Sequence, residues 1–161
     1  MLTNLKQSSA GFSLLEVVVV IVIIAILVAV GYPMYENHVR QTHRLDAKSA
    51  LVDLAQLQEK FYFGNPNNSG SNRTYATDFK TLLENDHSGF KIIDNDGKTL
   101  ESREGYYQIE FDGANSGLRS FRFIAKPTDK GGQNNDSCIE YYIDNVGNKD
   151  SKSEPEGEKC W

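Results

Sequence analysis

The sequence predicts an α+β protein: a long N-terminal α-helix whose second half packs on an antiparallel β-sheet of about four strands. Three observations predict it. Residues 17–35 are nineteen in a row without a formal charge, and every position from Val17 to Val30 is apolar. Beyond them, apolar residues return at three- and four-residue spacing as far as Phe61, the period of a one-sided helix. In the last third the pattern changes to alternation: Phe121, Phe123 and Ala125 interleave with Ser120, Arg122 and Ile124, the period of a strand.

The apolar run comes first. At 1.5 Å rise per residue a helix of this length spans about 28 Å, close to the roughly 30 Å hydrocarbon core of a bilayer. No other stretch of the chain is long and apolar enough for that. A single carboxylate, Glu16, stands inside its start, where a charge in hydrocarbon costs about 2.5 to 3.5 kcal/mol and needs a partner. An ordinary secretory signal is cut behind its apolar region, but Gly31-Tyr32-Pro33-Met34-Tyr35 is bulky and holds a proline. The polar leader 1–11, with Lys6 as its one charge, ends on Gly11. This arrangement predicts a cut in front of the helix, which then stays on the mature chain. Gly31 and Pro33 are expected to weaken or kink it.

The helix continues as an amphipathic segment, 36–63. Ala47, Ala50, Leu51, Leu54, Leu57 and Phe61 form its core side, and Arg44, Asp46, Lys48, Asp53, Gln56 and Glu59 mostly take the other. The Gly/Asn/Ser-rich loop 64–74 stops it. A short helix is expected within 75–83 and a turn at 85–89. Strands follow at 106–112, 118–126 and 138–144, with a weaker one at 90–93 and a hairpin connection at 113–117. The polar tail 148–159 is expected to be loose unless Cys160 tethers it. Trp161 is expected to pack on the sheet.

Composition limits the chemistry. Of 161 residues, a modest single head remains after the first 35. Net charge is −5, or −6 once Lys6 leaves with the leader, which argues against nucleic-acid binding driven by bulk charge. Cys138 and Cys160 have 21 residues between them and form no CxxC pair, so zinc and thioredoxin-like chemistry fit poorly. Two free thiols, pairing with other chains, or an internal bridge are the alternatives. A bridge would stabilise by about 3 kcal/mol and imply an oxidising compartment. Lys6 before the span and Arg40, Arg44 and Lys48 after it leave orientation undecided by charge.

Arg119, Arg122, Lys126 and Lys130 form a modest basic cluster near aromatic residues. A solvated strand face is its plain reading and DNA contact its sharper one, with Asp129 and Asp136 diluting the charge. Asp94-Asn95-Asp96-Gly97-Lys98 looks like a calcium loop, but Arg103 falls where the bidentate acid belongs, so a turn is expected and no metal site. His38, His43 and His87 lack ligand or triad spacing. Asn67-Asn68-Ser69, Asn72-Arg73-Thr74 and Asn135-Asp136-Ser137 fit the glycosylation pattern, which Asn-rich loops meet by chance. No catalytic set supports an enzyme, a cofactor or a small-molecule substrate.

Gly11-Phe12-Ser13-Leu14-Leu15-Glu16, followed at once by a membrane-length apolar run, resembles the prepilin peptidase motif of type IV pilins and pseudopilins. Arg44-Leu45-Asp46-Ala47, Glu59-Lys60-Phe61-Tyr62, Tyr75-Ala76-Thr77, Ala125-Lys126-Pro127, the stretch from Gly132 to Cys138 and the closing Cys160-Trp161 resemble minor pilins of the PilE-like group. Ala25 stands where such chains commonly carry a glycine. The resemblance implies the type IV pilin fold, with a head from 64 to 161 and a C-terminal region bounded by a Cys138–Cys160 disulfide. It implies cleavage between Gly11 and Phe12, N-methylation of Phe12, and residues 12–35 first in the membrane and then in a filament core. There Glu16 pairs with the amine of a neighbouring Phe12. The implied function is a structural subunit, minor rather than major, of a pilus serving adhesion, twitching motility or DNA uptake. Its implied partners are other pilin subunits, prepilin peptidase, the assembly machinery and the inner membrane, which it crosses once with a periplasmic head before joining the extracellular filament. The alternatives are a pilus-borne DNA receptor for transformation and a type II secretion pseudopilin, against which the cysteine loop argues.

Overall fold

The computed structural model describes residues 11–64, 73–84, 88–157 and 159–161. The leader up to Ala10, the loop 65–72 with the Asn67-Asn68-Ser69 triplet and Asn72 of the second, residues 85–87 of the expected turn with His87, and Glu158 lie outside the described residues. The chain divides into two compact units, residues 1–37 and 38–161.

Helix α1 (Leu14–Gly64) contributes to both units. In the first it opens with the amide of Val17 donating to the Ser13 carbonyl at 3.2 Å. The side chains from Val17 to Val30 are exposed on all sides, as expected of a helix made for lipid or for other helices. Gly31 and Pro33 do not interrupt it.

In the second unit α1 is one-sided. Ala47, Ala50, Leu51 and Leu54 are buried to 1 % exposure or less, whereas Leu45 is open to solvent. Arg44 and Asp46, expected mostly on the polar side, are buried with them. The reason is that each has a specific partner across the core. Arg44 grips Asp136 bidentately, Nε to Oδ2 at 2.9 Å and Nη2 to Oδ1 at 2.6 Å, and also donates to Ser137 Oγ. Asp46 accepts from Ser102 Oγ at 2.6 Å and from the amides of Glu104 and Tyr106. Buried Gln58 bonds both backbone groups of Ala76, at 2.8 and 3.0 Å, as a strand would. Buried ions and amides persist only when paired in this way.

The sheet is a six-stranded antiparallel meander, not one of about four: β1 (Lys91–Ile92), β2 (Thr99–Glu101), β3 (Tyr107–Phe111), β4 (Arg122–Pro127), β5 (Cys138–Asp144) and β6 (Lys149–Ser153), in that spatial order. The two unexpected strands lack an apolar signature. Strand β2 has three residues, and β6 reads Lys-Asp-Ser-Lys-Ser. Strand β6 exists because it pairs with β5, Tyr141 facing Ser151 and Ile143 facing Lys149. The tail, expected to be loose unless Cys160 tethers it, is tethered by the Cys138–Cys160 disulfide and is partly an edge strand. Strand β4 starts at Arg122 rather than Leu118, although Phe121 just before it is fully in the core. Helix α2 (Phe79–Leu82) is one turn, capped by Asp78 accepting from the Thr81 amide at 2.8 Å. Residues 94–98 are a turn, with Asp94 accepting from the Lys98 amide and Gly97 at φ +70°.

Aromatic rings fill the space between helix and sheet. Phe79, Phe111, Phe121 and Phe123 pack at centroid distances of 4.6 to 5.6 Å, and Tyr107 meets Tyr141 edge-on at 5.7 Å. Each such burial contributes about 1.5 to 3 kcal/mol. At the far end of α1, Tyr75 stacks on Tyr62 and donates its hydroxyl to Glu59 at 2.9 Å. Burial, seconded by that hydrogen bond, pushes the Tyr75 phenol up to about 12. Desolvation also raises the phenols of Tyr107, Tyr141 and Tyr142.

Two outcomes follow for stability. Asp136→Ala strands a buried guanidinium, and the head should lose about 3 to 5 kcal/mol in denaturant titrations. The joint replacement Arg44→Met with Asp136→Leu should cost less than the single change. The phenols, raised in the folded state, contribute stability that is complete below their ordinary value of 10.0 and is lost as pH climbs through the folded values. Denaturation midpoints should therefore hold from pH 7 to 9 and fall above pH 10, and Tyr75→Phe should make that fall shallower.

Candidate nucleic-acid interface

The four basic residues expected to cluster do not form one patch. Arg122 and Lys126 share the face of β4 that points away from the core, and both have acidic company. Arg122 lies 3.8 Å from Asp112 and its guanidinium covers the Tyr142 ring at 4.4 Å, while Lys126 bridges to Glu110. Lys130 stands beyond the opposite end of β4, in the 3₁₀ segment Lys130–Asn135. Its amine donates to the Glu104 carbonyl and sits over Tyr106, which stacks on His43 at 3.6 Å. Arg119 is exposed in the β3–β4 connection. Pairing on the sheet face leaves Arg122 and Lys126 as neutralised ladders, and β4 separates Arg119 from Lys130.

Arg119 has different neighbours, brought together by backbone bonds. Gly117 donates to Ser120 at 2.7 Å and closes the tip of the connection. The Leu118 carbonyl accepts from the Tyr75 amide at 2.9 Å, tying that tip to the segment entering α2. Tyr75 stacks on Tyr62 at 4.6 Å, Tyr62 meets Phe63 edge-on at 5.2 Å, and the guanidinium of Arg73 lies 5.2 Å from the centre of Phe63. The amide of Asn145 donates to the Phe121 carbonyl at 3.1 Å, which adds the β5–β6 turn to the same end.

The result is a surface at one end of the head with an unusual composition. Phe63, Leu118 and Val146 are 63 %, 62 % and 77 % exposed. Half-buried Arg73 lies against the Phe63 ring, and exposed Arg119 follows Leu118 in the chain. The acids nearby are engaged locally: Asp112 by the Ala114 amide and Asn115, Asp144 by the amides of Val146 and Asn148, and Glu59 by Tyr75. Hydrogen bonds from Asn148 and the Val146 amide outweigh desolvation and hold the Asp144 carboxyl below its usual value. Cations interleaved with exposed apolar and aromatic side chains are what a nucleic-acid surface needs: charge for phosphates and flat or greasy groups for bases. Sequence reasoning singled out Arg119 alone of this set. Phe63 was within reach, because it falls off the core stripe that ends at Phe61. Arg73 and Leu118 become visible only through Tyr75.

Two further regions carry residues singled out earlier. Glu16 lies in the first turn of α1, exposed, where the helix dipole favours an anion. Cys138 and Cys160 are joined by a disulfide, with Cα atoms 5.9 Å apart. Trp161 beside it meets Tyr141 edge-on at 5.9 Å and donates its indole N–H to the Asp150 carbonyl on β6. Among the described residues, no group of three or more His, Cys, Asp or Glu side chains is placed to hold a metal ion.

Comparison with known proteins agrees with this picture at both ends of the chain. Residues 6–32 match the prokaryotic N-terminal methylation motif. Residues 33–142 match the family described as "Type IV minor pilin ComP, DNA uptake sequence receptor". Prepilin peptidase-dependent protein D of Escherichia coli (strain K12) is 50 % identical over 46 residues, which are 29 % of this chain and 27 % of that protein. The chain therefore matches only about a quarter of that relative's length. A type IV pilin from Shewanella oneidensis of known structure aligns with 76 % of this chain and 97 % of its own, at 19 % identity and a TM-score of 0.40. The family match covers more than half of the sequence and contains Phe63, Arg73, Leu118 and Arg119, though not the β5–β6 turn with Val146: the chain belongs to the type IV minor pilin ComP family, a structural, non-enzymatic family of prepilin peptidase substrates.

Proposed function

We propose that this minor pilin is cut after Gly11, waits in the inner membrane with its head in the periplasm, and enters an extracellular type IV pilus where the head captures duplex DNA. The observation that carries the DNA reading is the family match over residues 33–142, which spans Phe63, Arg73, Leu118 and Arg119. The Arg/Phe/Leu composition of that surface supports it. The chain is acidic overall, so capture relies on the few cations set beside the exposed apolar side chains of this surface. Each phosphate neutralised releases counterions and makes affinity fall with salt.

Assembly uses the other end of the chain. Cleavage exposes the amine of Phe12, and this amine, on a neighbouring subunit, neutralises Glu16 in a filament core that holds little water. Packing of the Val- and Ile-rich surfaces adds no hydrophobic gain over lipid, so the ion pair supplies the selectivity for register.

Three measurements test this. Mass spectrometry of the protein from native membranes should show a chain beginning at N-methylated Phe12. A chain beginning at Met1 would remove the assembly reading. Glu16→Val should leave membrane insertion intact and exclude the subunit from sheared filaments, whereas normal incorporation would show that the carboxylate is dispensable. The mature chain in detergent should bind duplex DNA at low salt. Arg73→Ala and Arg119→Ala should each lower the slope of log affinity against log salt by about one, and absence of binding at low salt would overturn the DNA reading.

A further inference from the structure

Leu118 is held outward by a tip that has little freedom to turn it in. Gly117 closes on Ser120, Ser116 Oγ both donates to and accepts from the backbone of Arg122, Asp112 fastens Ala114 and Asn115, and the Leu118 carbonyl is bound to Tyr75. The core places beneath are taken by Phe121 and Phe123, so the exposed leucine is not a residue awaiting burial within the head. Phe63 stands out in the same way at the end of α1, with Arg73 against its ring. Phosphates attract the arginines but give nothing to a leucine or a phenylalanine. Base edges, thymine methyls and the faces of opened base steps do.

The geometry points to a wedge: resting on the DNA reading above, Leu118, seconded by Phe63, enters a groove of the duplex and parts a base step while Arg119 and Arg73 hold the flanking phosphates. The family match over residues 33–142 selects DNA as the occupant of this apolar surface, and the arginines that border it, Arg73 against the Phe63 ring and Arg119 next to Leu118, suit phosphates. A wedge makes the site a reader of deformability. Pyrimidine–purine steps and mispaired steps open at low cost, whereas A-tracts are stiff. The preferred substrate is therefore duplex DNA with an easily parted step at the contact, and the preference comes from the leucine rather than from the cations.

The test uses the mature full-length chain in detergent and three duplexes of equal length: one with a central TA step, one with a central A-tract, and one with a single T·T mismatch. Affinity should rise in the order A-tract, TA, mismatch, with about tenfold between the extremes. Leu118→Ala should erase that order and leave the salt slope unchanged, while Leu118→Met keeps the order. Arg119→Ala should do the reverse, lowering the slope by about one and keeping the order. Equal thermal unfolding of the variants shows that folding is not at issue, as expected for an exposed side chain. If wild type binds all three duplexes equally and responds only to the arginine changes, the wedge is wrong and the DNA reading stands. If wild type binds none, both fall. If Leu118→Ala binds DNA as wild type does but is absent from filaments, the surface is a subunit contact and the wedge is overturned.

Discussion

The head depends on one buried ion pair. Arg44 on α1 and Asp136 at the entrance to β5 are 8 % and 7 % exposed, and their two short hydrogen bonds fix the helix against the sheet at a defined register. Apolar packing alone tolerates sliding, whereas a bidentate pair does not. The pair is embedded in further constraints. Gln133 donates to Asp136, to the Tyr107 hydroxyl and to the Arg40 carbonyl, and its own carbonyl oxygen meets His43. The 3₁₀ segment that presents Gln133 passes so close to α1 that a Cβ on Gly131 would lie 3.3 Å from Tyr106 and 3.5 Å from His43. With φ of +60° and +70°, Gly131 and Gly132 also take a backbone that other residues adopt reluctantly. The motif Gly132-Gln133-Asn134-Asn135-Asp136 is therefore a clasp, and the stack of Tyr106 on His43 closes it from outside.

What the sequence disclosed and what it hid divide along the same line. Periodicity reported the elements whose burial is apolar: α1 to within a residue of its end, β5 over its whole span and the core face of β4. It misplaced residues whose burial is polar. Arg44 and Asp46 look like the wet side of an amphipathic helix because periodicity counts charge as exposure, and their partners lie 92 and 56 positions away. Strand β6 was hidden for a related reason. An edge strand of lysine, serine and aspartate has no alternation to read, and it exists only because β5 and the Cys160 tether provide a partner and an anchor. The basic cluster was legible as residues but not as a surface, since neutralisation by Glu110 and Asp112 depends on cross-strand register.

This bears on how an acidic protein meets a polyanion. A net charge of −5 would repel DNA if charge were spread evenly. The head instead spends its acids internally. Asp46, Asp136, Asp94, Asp112, Asp144 and Glu59 each cap a turn, hold a partner across the core or pair with a tyrosine. These carboxylates keep their charge but are fixed in place by their partners, so the total says little about which sign stands at any one place on the surface. Formal charge is a poor guide to partners when carboxylates do structural work.

The same division separates the sheet face from the loop end where the interface is proposed. On the sheet face, each cation is paired with the acid that register places beside it, and freeing one would leave its partner uncompensated. The loop end has no such register. Connections there are fixed by backbone bonds and by capping aspartates, while the Leu118 side chain stays exposed. A residue with no role in folding can be selected for contact alone. A leucine kept outward on a tip this firmly held is better explained by something it touches than by anything it supports.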